Sequence, residues 1–228
     1  MSKPMGGIDY RCYFVTGTPL PHSPHSVVDT AVAAARGGAG VIQVRSKPIT
    51  ARDLYALSEE VANAVAAVNP NTRVLIDDRV DVALALRAHG VGIHGVHVGQ
   101  DDLDVSDVRS LLGPDAIVGL TTGTLELVQA ANRQAHYLDY LGCGPFRLTP
   151  TKDSGRPALG VSGYVPIVAA SVLPVVAIGD VTVEDATQLA GTGVAGCAIV
   201  RGIMNASDPA DYCARVLRAF DAGRTVRP

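Results

Sequence analysis

Eight times along this chain a short apolar run gives way to a longer amphipathic stretch. The apolar runs span residues 13–17, 40–45, 73–77, 95–99, 116–120, 137–142, 174–179 and 195–200. Each is rich in Val, Ile, Leu or Tyr and closes near Gly or a polar residue, the pattern of a short strand. Helix starts fall between them. Thr50 with Asp53 precedes the clearest helix-like stretch, 51–68, and Thr182 with Asp185 marks another. A last helix begins with Asp208 as cap, Pro209 in its first position and Asp211 in its first turn. Eight strand–helix units in 228 residues predict an α/β fold, a (β/α)8 TIM barrel, which typically takes about 250 residues. An open doubly wound sheet is the competing architecture, but no GxGxxG opens a first strand–helix turn. No composition shift divides the chain, so one domain over 1–228 is expected, with 1–10 and 222–228 as loose ends.

Composition narrows the class of protein. Hydrophobic residues at 47% against 18% charged allow a sizeable core. A net charge of −3 gives no reason to expect nucleic acid or anionic lipid as a partner, so any phosphate affinity must be local. The four cysteines show no CxxC pair and read as reduced, mostly buried thiols of a cytoplasmic protein. The first residues lack the apolar stretch of a signal peptide, and no run approaches the ~18 apolar residues of a membrane span.

In a parallel barrel the chemistry sits where strands end. The second strand reads GVIQVRSK. Side chains alternate along a strand, so Gln43, Arg45 and Lys47 share one face, and Ile42, Val44 and Ser46 the other. The apolar pair suits the helix-covered outside, which turns three donors toward the interior and mouth. Arg and Lys buried there call for an anion: a diphosphate ligand, or alternatively an internal carboxylate. Carboxylates follow strand three (Asp77, Asp78) and strand four (Asp101, Asp102). One from each pair would suit Mg2+, which takes one or two carboxylates plus water and phosphate oxygens. The competing role is helix capping, the better reading for Asp101. After strand six, Thr149, Thr151 and Lys152 stand in a Gly/Pro-framed loop fit for phosphate capture, or else a solvated loop. Arg201 after strand eight adds a cation, and Asp180 after strand seven is an awkward neighbour for an anion. His94 and His97 lie three apart, on opposite faces of a strand, and cannot chelate one ion in regular geometry.

Together, QVRSK at 43–47, DDR at 77–79, GQDD at 99–102 and GP followed by TPTK at 149–152 resemble the thiamine phosphate synthase family, over nearly the whole chain. The resemblance implies a transferase of thiamine biosynthesis. It would join a pyrimidine diphosphate to a thiazole phosphate with release of diphosphate, by a dissociative substitution assisted by Mg2+. It implies that the segment Gln43, Val44, Arg45, Ser46 and Lys47 holds the pyrimidine diphosphate with Lys152; that Arg45, Lys47 and Lys152 are catalytic; and that Asp78 and Asp102 ligate Mg2+. Thr121 takes the place of a family serine at the diphosphate. Thr149, Pro150 and Thr151, with Asp180, Val200 and Arg201, would surround the thiazole phosphate, and Asp77 the pyrimidine. Three residues depart from the family pattern: Asp77 for a usual Asn, Gly123 for a usual His, and Asp180 for a Gly. The loop ahead of strand four is longer than usual. A related thiazole tautomerase and a non-catalytic phosphate-binding barrel are the alternatives. The partners implied are small molecules, and a homo-oligomer or fusion to another thiamine-pathway enzyme stays open.

Overall fold

The computed structural model describes residues 7–19, 25–148 and 155–225. Eight strands pair in parallel and in sequence order, and the eighth closes on the first. They are β1 Cys12–Val15, β2 Val41–Val44, β3 Arg73–Asp77, β4 Gly95–Val98, β5 Ile117–Thr122, β6 Tyr140–Cys143, β7 Val175–Ile178 and β8 Gly196–Ile199. The helices between them are α1 Val27–Arg36, α2 Ala51–Val68, α3 Val80–Ala88, α4 Val105–Leu112, α5 Leu125–Arg133, α6 Gly160–Ala170 and α7 Val183–Gly191, followed by the short α8 Arg201–Met204 and α9 Pro209–Arg224. The fold is the TIM barrel that the alternation implies.

Strand alternation sorts the apolar residues into two shells. Tyr13, Val15, Val41, Leu75, Ile117, Tyr140, Val176 and Ala198 fill the barrel interior. Phe14, Ile42, Val44, Val74, Ile76, Val96 and Val118, one register off, pack outward against the helices. Removing one such side chain, Leu75→Ala for example, should cost about 2–5 kcal/mol, because the close-packed interior cannot collapse fully around the gap.

The capping signals hold. Thr50 accepts from the Asp53 amide, Thr182 and Asp185 form a reciprocal box, and Asp208 accepts from the amides of Ala210 and Asp211. The capping role does not hold for the acidic pairs. Asp104, not Asp101, caps α4, and Arg79 precedes α3 at its cap position with no side-chain cap bond. Strand ends move by one or two residues, and one start moves further. Residues 135–137 form a 3-10 turn, because Leu138 donates to the Ala135 carbonyl and Arg109 takes the Tyr137 carbonyl. Helix α9 runs on to Arg224 with Phe220 and Gly223 buried, and at the other end Tyr10 is buried. Cys12, Cys143, Cys197 and Cys213 are free and buried. Among the described residues, no helix is long and apolar enough to cross a membrane.

Candidate active site

The C-terminal ends of the strands surround a pocket whose floor is the top of the interior core. Tyr13, Gln43, His97, Thr121 and Tyr140 make that floor. Two glycines make room for it. A Cβ on Gly119 would lie 2.2 Å from the Tyr140 ring, and one on Gly142 would lie 2.9 Å from the His97 ring. Gln43 is buried and donates to Tyr13 Oη at 2.8 Å, so it faces inward as its place on β2 implies. Val44 faces the helices, and Ser46 is half-buried beyond the strand end.

On the β2–β3 side, cations and carboxylates interleave. Buried Thr16 holds the backbone of Arg45 by two bonds of 2.8 Å, one to its amide and one to its carbonyl. Arg45 Nε stands 3.4 Å from Asp77 Oδ2, and Lys47 Nζ meets the same oxygen at 3.4 Å. Lys47 also bonds Asp78 directly. Burial opposes the Lys47 charge, but its bonds and attraction to Asp78 and Asp77 hold the ammonium above its ordinary pKa. Asp77 is 8% exposed, and its Oδ2 makes no hydrogen bond in spite of both ion-pair contacts. Burial first, and then the charge of Asp78, push its carboxyl up to about 6 against the pull of Lys47 and Arg45. The internal-carboxylate reading of the β2 cations is thus realised, in a cluster that opens on the pocket.

Alternation alone would turn Asp78 outward, away from Asp77. Its backbone instead takes φ 58°, the left-handed region that side chains other than Gly, Asn and Asp rarely adopt. That turn re-aims Asp78 at Lys47 and brings it within hydrogen-bonding reach of Asp102. Asp102 accepts the Gly99 amide at 2.6 Å. Its pKa is raised, by burial first and then by Asp78, with the Gly99 amide opposing. Two like charges gathered this way are a fit place for a divalent cation, and hard carboxylate oxygens suit Mg2+. Asp101 is exposed. Among the described residues, no cluster of three or more His, Cys, Asp or Glu is placed to hold a metal.

Across the mouth, Asp180 also has a positive φ, 56°, after Gly179 at 110°. Its side chain bonds Arg201, and its carbonyl accepts from Arg147 at 3.0 Å. The expected repulsion of an anion is therefore tempered, since Asp180 is paired. Val200 and Thr121 line the same pocket. Thr149, Pro150, Thr151 and Lys152 lie outside the described residues.

Two contributors escaped the sequence reading. His97 joins the floor, with its ring 2.9 Å from both Tyr140 Oη and Thr121 Oγ1. Its inward strand parity was the available signal. His94, by contrast, accepts the Val74 amide at 3.0 Å at the other end of the strand. Arg156 reaches the pocket from beyond the β6 loop and donates to the Thr122 carbonyl at 2.7 Å. A Cβ on Gly123 would lie 2.2 Å from the Gly144 carbonyl oxygen and 2.6 Å from the Arg156 guanidinium, so no side chain fits there.

A family model described as thiamine monophosphate synthase matches residues 12–203. The chain belongs to the thiamine monophosphate synthase family. It is 62% identical over 217 residues to a thiamine-phosphate synthase of Corynebacterium efficiens, covering 95% of this chain and 97% of that protein. It is 64% identical over 213 residues to one of Corynebacterium jeikeium, covering 93% and 95%. Among solved structures, a thiamine phosphate pyrophosphorylase from Pyrococcus furiosus superposes with a TM-score of 0.77 at 26% identity, covering 95% of this chain and 98% of that one. Membership in the thiamine monophosphate synthase family accords with the motif resemblance: the motifs at the ends of β2 and β3 give Gln43, Arg45 and Asp77 to the pocket, and the motif after β4 brings Asp102 beside Asp78.

Proposed function

We propose that this chain is a thiamine phosphate synthase, a transferase that condenses 4-amino-2-methyl-5-(diphosphomethyl)pyrimidine with a thiazole phosphate, giving thiamine phosphate and diphosphate. The observation that carries the reading is the gathering of Arg45, Lys47, Asp77, Asp78 and Asp102 into one cluster, from which Arg45 and Asp77 line the pocket. A thiazole tautomerase has no need of a diphosphate-plus-metal site, which weighs against that alternative. The cytoplasm is the proposed compartment.

Asp78 and Asp102 would hold Mg2+, which when bound supplies positive charge to the departing diphosphate. Arg45 and Lys47, with Lys152, would bind the same diphosphate and stabilise the charge it gains as the carbon–oxygen bond breaks. The electron pair of that bond leaves with diphosphate, and the thiazole nitrogen supplies the pair for the new carbon–nitrogen bond. Gln43 and Asp77 would orient the pyrimidine, and Thr121 would donate to the diphosphate. Arg201 and the backbone at Val200, with Thr149, Pro150 and Thr151, would bind the thiazole phosphate, with Asp180 alongside. No general base is required.

The test is to incubate the purified protein with both substrates and Mg2+ and measure thiamine phosphate and diphosphate. An Asp102→Ala variant and a chelator serve as controls. Product lost in both controls is expected. Folded protein that yields no product above background would defeat the reading.

A further inference from the structure

Five side chains form one continuous hydrogen-bonded line across the pocket floor. Gln43 Nε2 donates to Tyr13 Oη at 2.8 Å, and the hydroxyls of Tyr13 and Tyr140 meet at 2.7 Å. Tyr140 Oη lies 2.9 Å from His97 Nδ1, and His97 Nε2 lies 2.9 Å from Thr121 Oγ1. The line therefore joins a residue at the end of β2 to one near the end of β5.

Counting hydrogens gives the line a direction. Burial raises the pKa of both phenols, so each keeps its one hydrogen. Tyr13 accepts from Gln43, and Tyr140 is the one acceptor that its buried hydroxyl meets among the described residues, so its own hydrogen goes to Tyr140. Tyr140 then passes its hydrogen to His97 Nδ1. A ring accepting at Nδ1 carries its hydrogen on Nε2 and donates it to Thr121. The Thr121 oxygen is thereby an acceptor within the line, and its own hydrogen is left for the pocket. Turning the Gln43 amide over would reverse every bond and present Thr121 lone pairs to the pocket, which would repel an anion.

We propose that His97 and Tyr140 are positioning residues that act through Thr121, holding its hydroxyl as a hydrogen-bond donor to an anionic oxygen of the diphosphate. This rests on the function proposed above, and it assigns work to two side chains that need not touch the substrate.

Two measurements on the full chain decide it. Nitrogen-15 NMR of the imidazole rings, with the His97 signals identified by their loss in His97→Gln, should show the hydrogen on Nε2. A ring protonated on Nδ1 instead would overturn the proposal. Calorimetry with inorganic diphosphate and Mg2+ then compares wild type with Thr121→Val, Tyr140→Phe and the double variant. Each single change should weaken binding about tenfold or more, the effect of losing one hydrogen bond to a charged group. The double variant should be no weaker than Thr121→Val alone, and Thr121→Ser should bind like wild type. The KM for the thiazole phosphate should stay put, which a general loosening of the barrel would not permit. Losses that add independently would overturn the positioning role while leaving the functional reading intact. Wild-type protein that binds no diphosphate would overturn the functional reading, and the role of Thr121 with it.

Discussion

Asp180 turns its carboxylate onto the guanidinium of Arg201, joining the ends of the neighbouring strands β7 and β8 at the mouth of the barrel. The side chains are 34% and 46% exposed, so water screens the pair and it adds little to stability. Its consequence lies in binding, since it engages a cation that a phosphate would otherwise use. The backbone at 180 is left-handed, a conformation that glycine adopts freely. Asp180→Gly should therefore leave the melting temperature unchanged or slightly raised, with about 1 kcal/mol of backbone strain relieved. It should lower the KM for the thiazole phosphate by up to about tenfold, the equivalent of ~1.4 kcal/mol. A rise in KM would mean that the Asp180 carboxylate itself serves the substrate.

Asp78 and Asp102 repel each other, and that repulsion sets the sign of a second expectation. Asp78→Asn keeps a residue type that tolerates left-handed backbone, and Asp102→Asn keeps an acceptor for the Gly99 amide. Each should fold with stability equal to wild type or better. Each should also need at least about tenfold more Mg2+ for half-maximal rate and lose about 2.7–4 kcal/mol of barrier stabilisation at fixed Mg2+. Steady-state assays over a Mg2+ titration, beside urea melts, separate the two effects. A variant that loses stability and keeps its Mg2+ dependence would count against the metal assignment.

The interior bond from the Val74 amide to His94 predicts a pH dependence. Burial first, and then the charges of Arg73 and Arg87, depress the His94 pKa from 6.5 to about 4. Protonating Nδ1 would also break the bond it accepts from Val74. A depressed histidine binds its proton more readily in the unfolded chain. Its contribution is therefore fully present above pH 6.5 and is lost as pH falls toward 4. The loss should be on the order of 2 kcal/mol once partial exposure is allowed for. Urea denaturation between pH 4 and 7 should show a steeper acid decline in wild type than in His94→Asn, and parallel curves would refute the assignment.

Gly123 is fixed by space and not by conformation. The nearest obstacle to a Cβ is the Gly144 backbone carbonyl at 2.2 Å, which no rotamer change can move. Gly123→Ala should cost about 1–3 kcal/mol by overpacking and should displace Arg156 from the Thr122 carbonyl. Thermal melts and a crystal structure of the variant check both. Unchanged stability would mean that the β5 and β6 ends part easily.

Much of this was legible in the chain because strand periodicity has a local cause. Gln43 faces inward and Ile42 outward for the same reason that any strand alternates, and the caps at Thr50, Thr182 and Asp208 use bonds only two or three residues long. Asp78 was harder to place, because alternation assigns it outward and only the left-handed turn after β3 reverses that. The pairing of Asp180 with Arg201 spans 21 residues, and the His97 bond to Tyr140 spans 43. Contacts of that kind exist only once the barrel has closed and leave no short-range pattern. Arg156 was missed for a similar reason: its value comes from the room left at Gly123 by a neighbouring strand.

The closure of β8 on β1 also decides where the described ends of the chain fall. Gly7 to Arg11 and Arg224 line one hollow with Asp139, Pro174 and Ala195, which sit at the starts of β6, β7 and β8. That hollow is at the opposite end of the barrel from the mouth. A circular permutant that joins these two segments by a short linker and reopens the chain elsewhere on the same rim would keep every strand-end side chain in place. The same geography makes this floor the natural attachment point for a tag or tethered partner, because whatever is hung there leaves the route into the pocket clear.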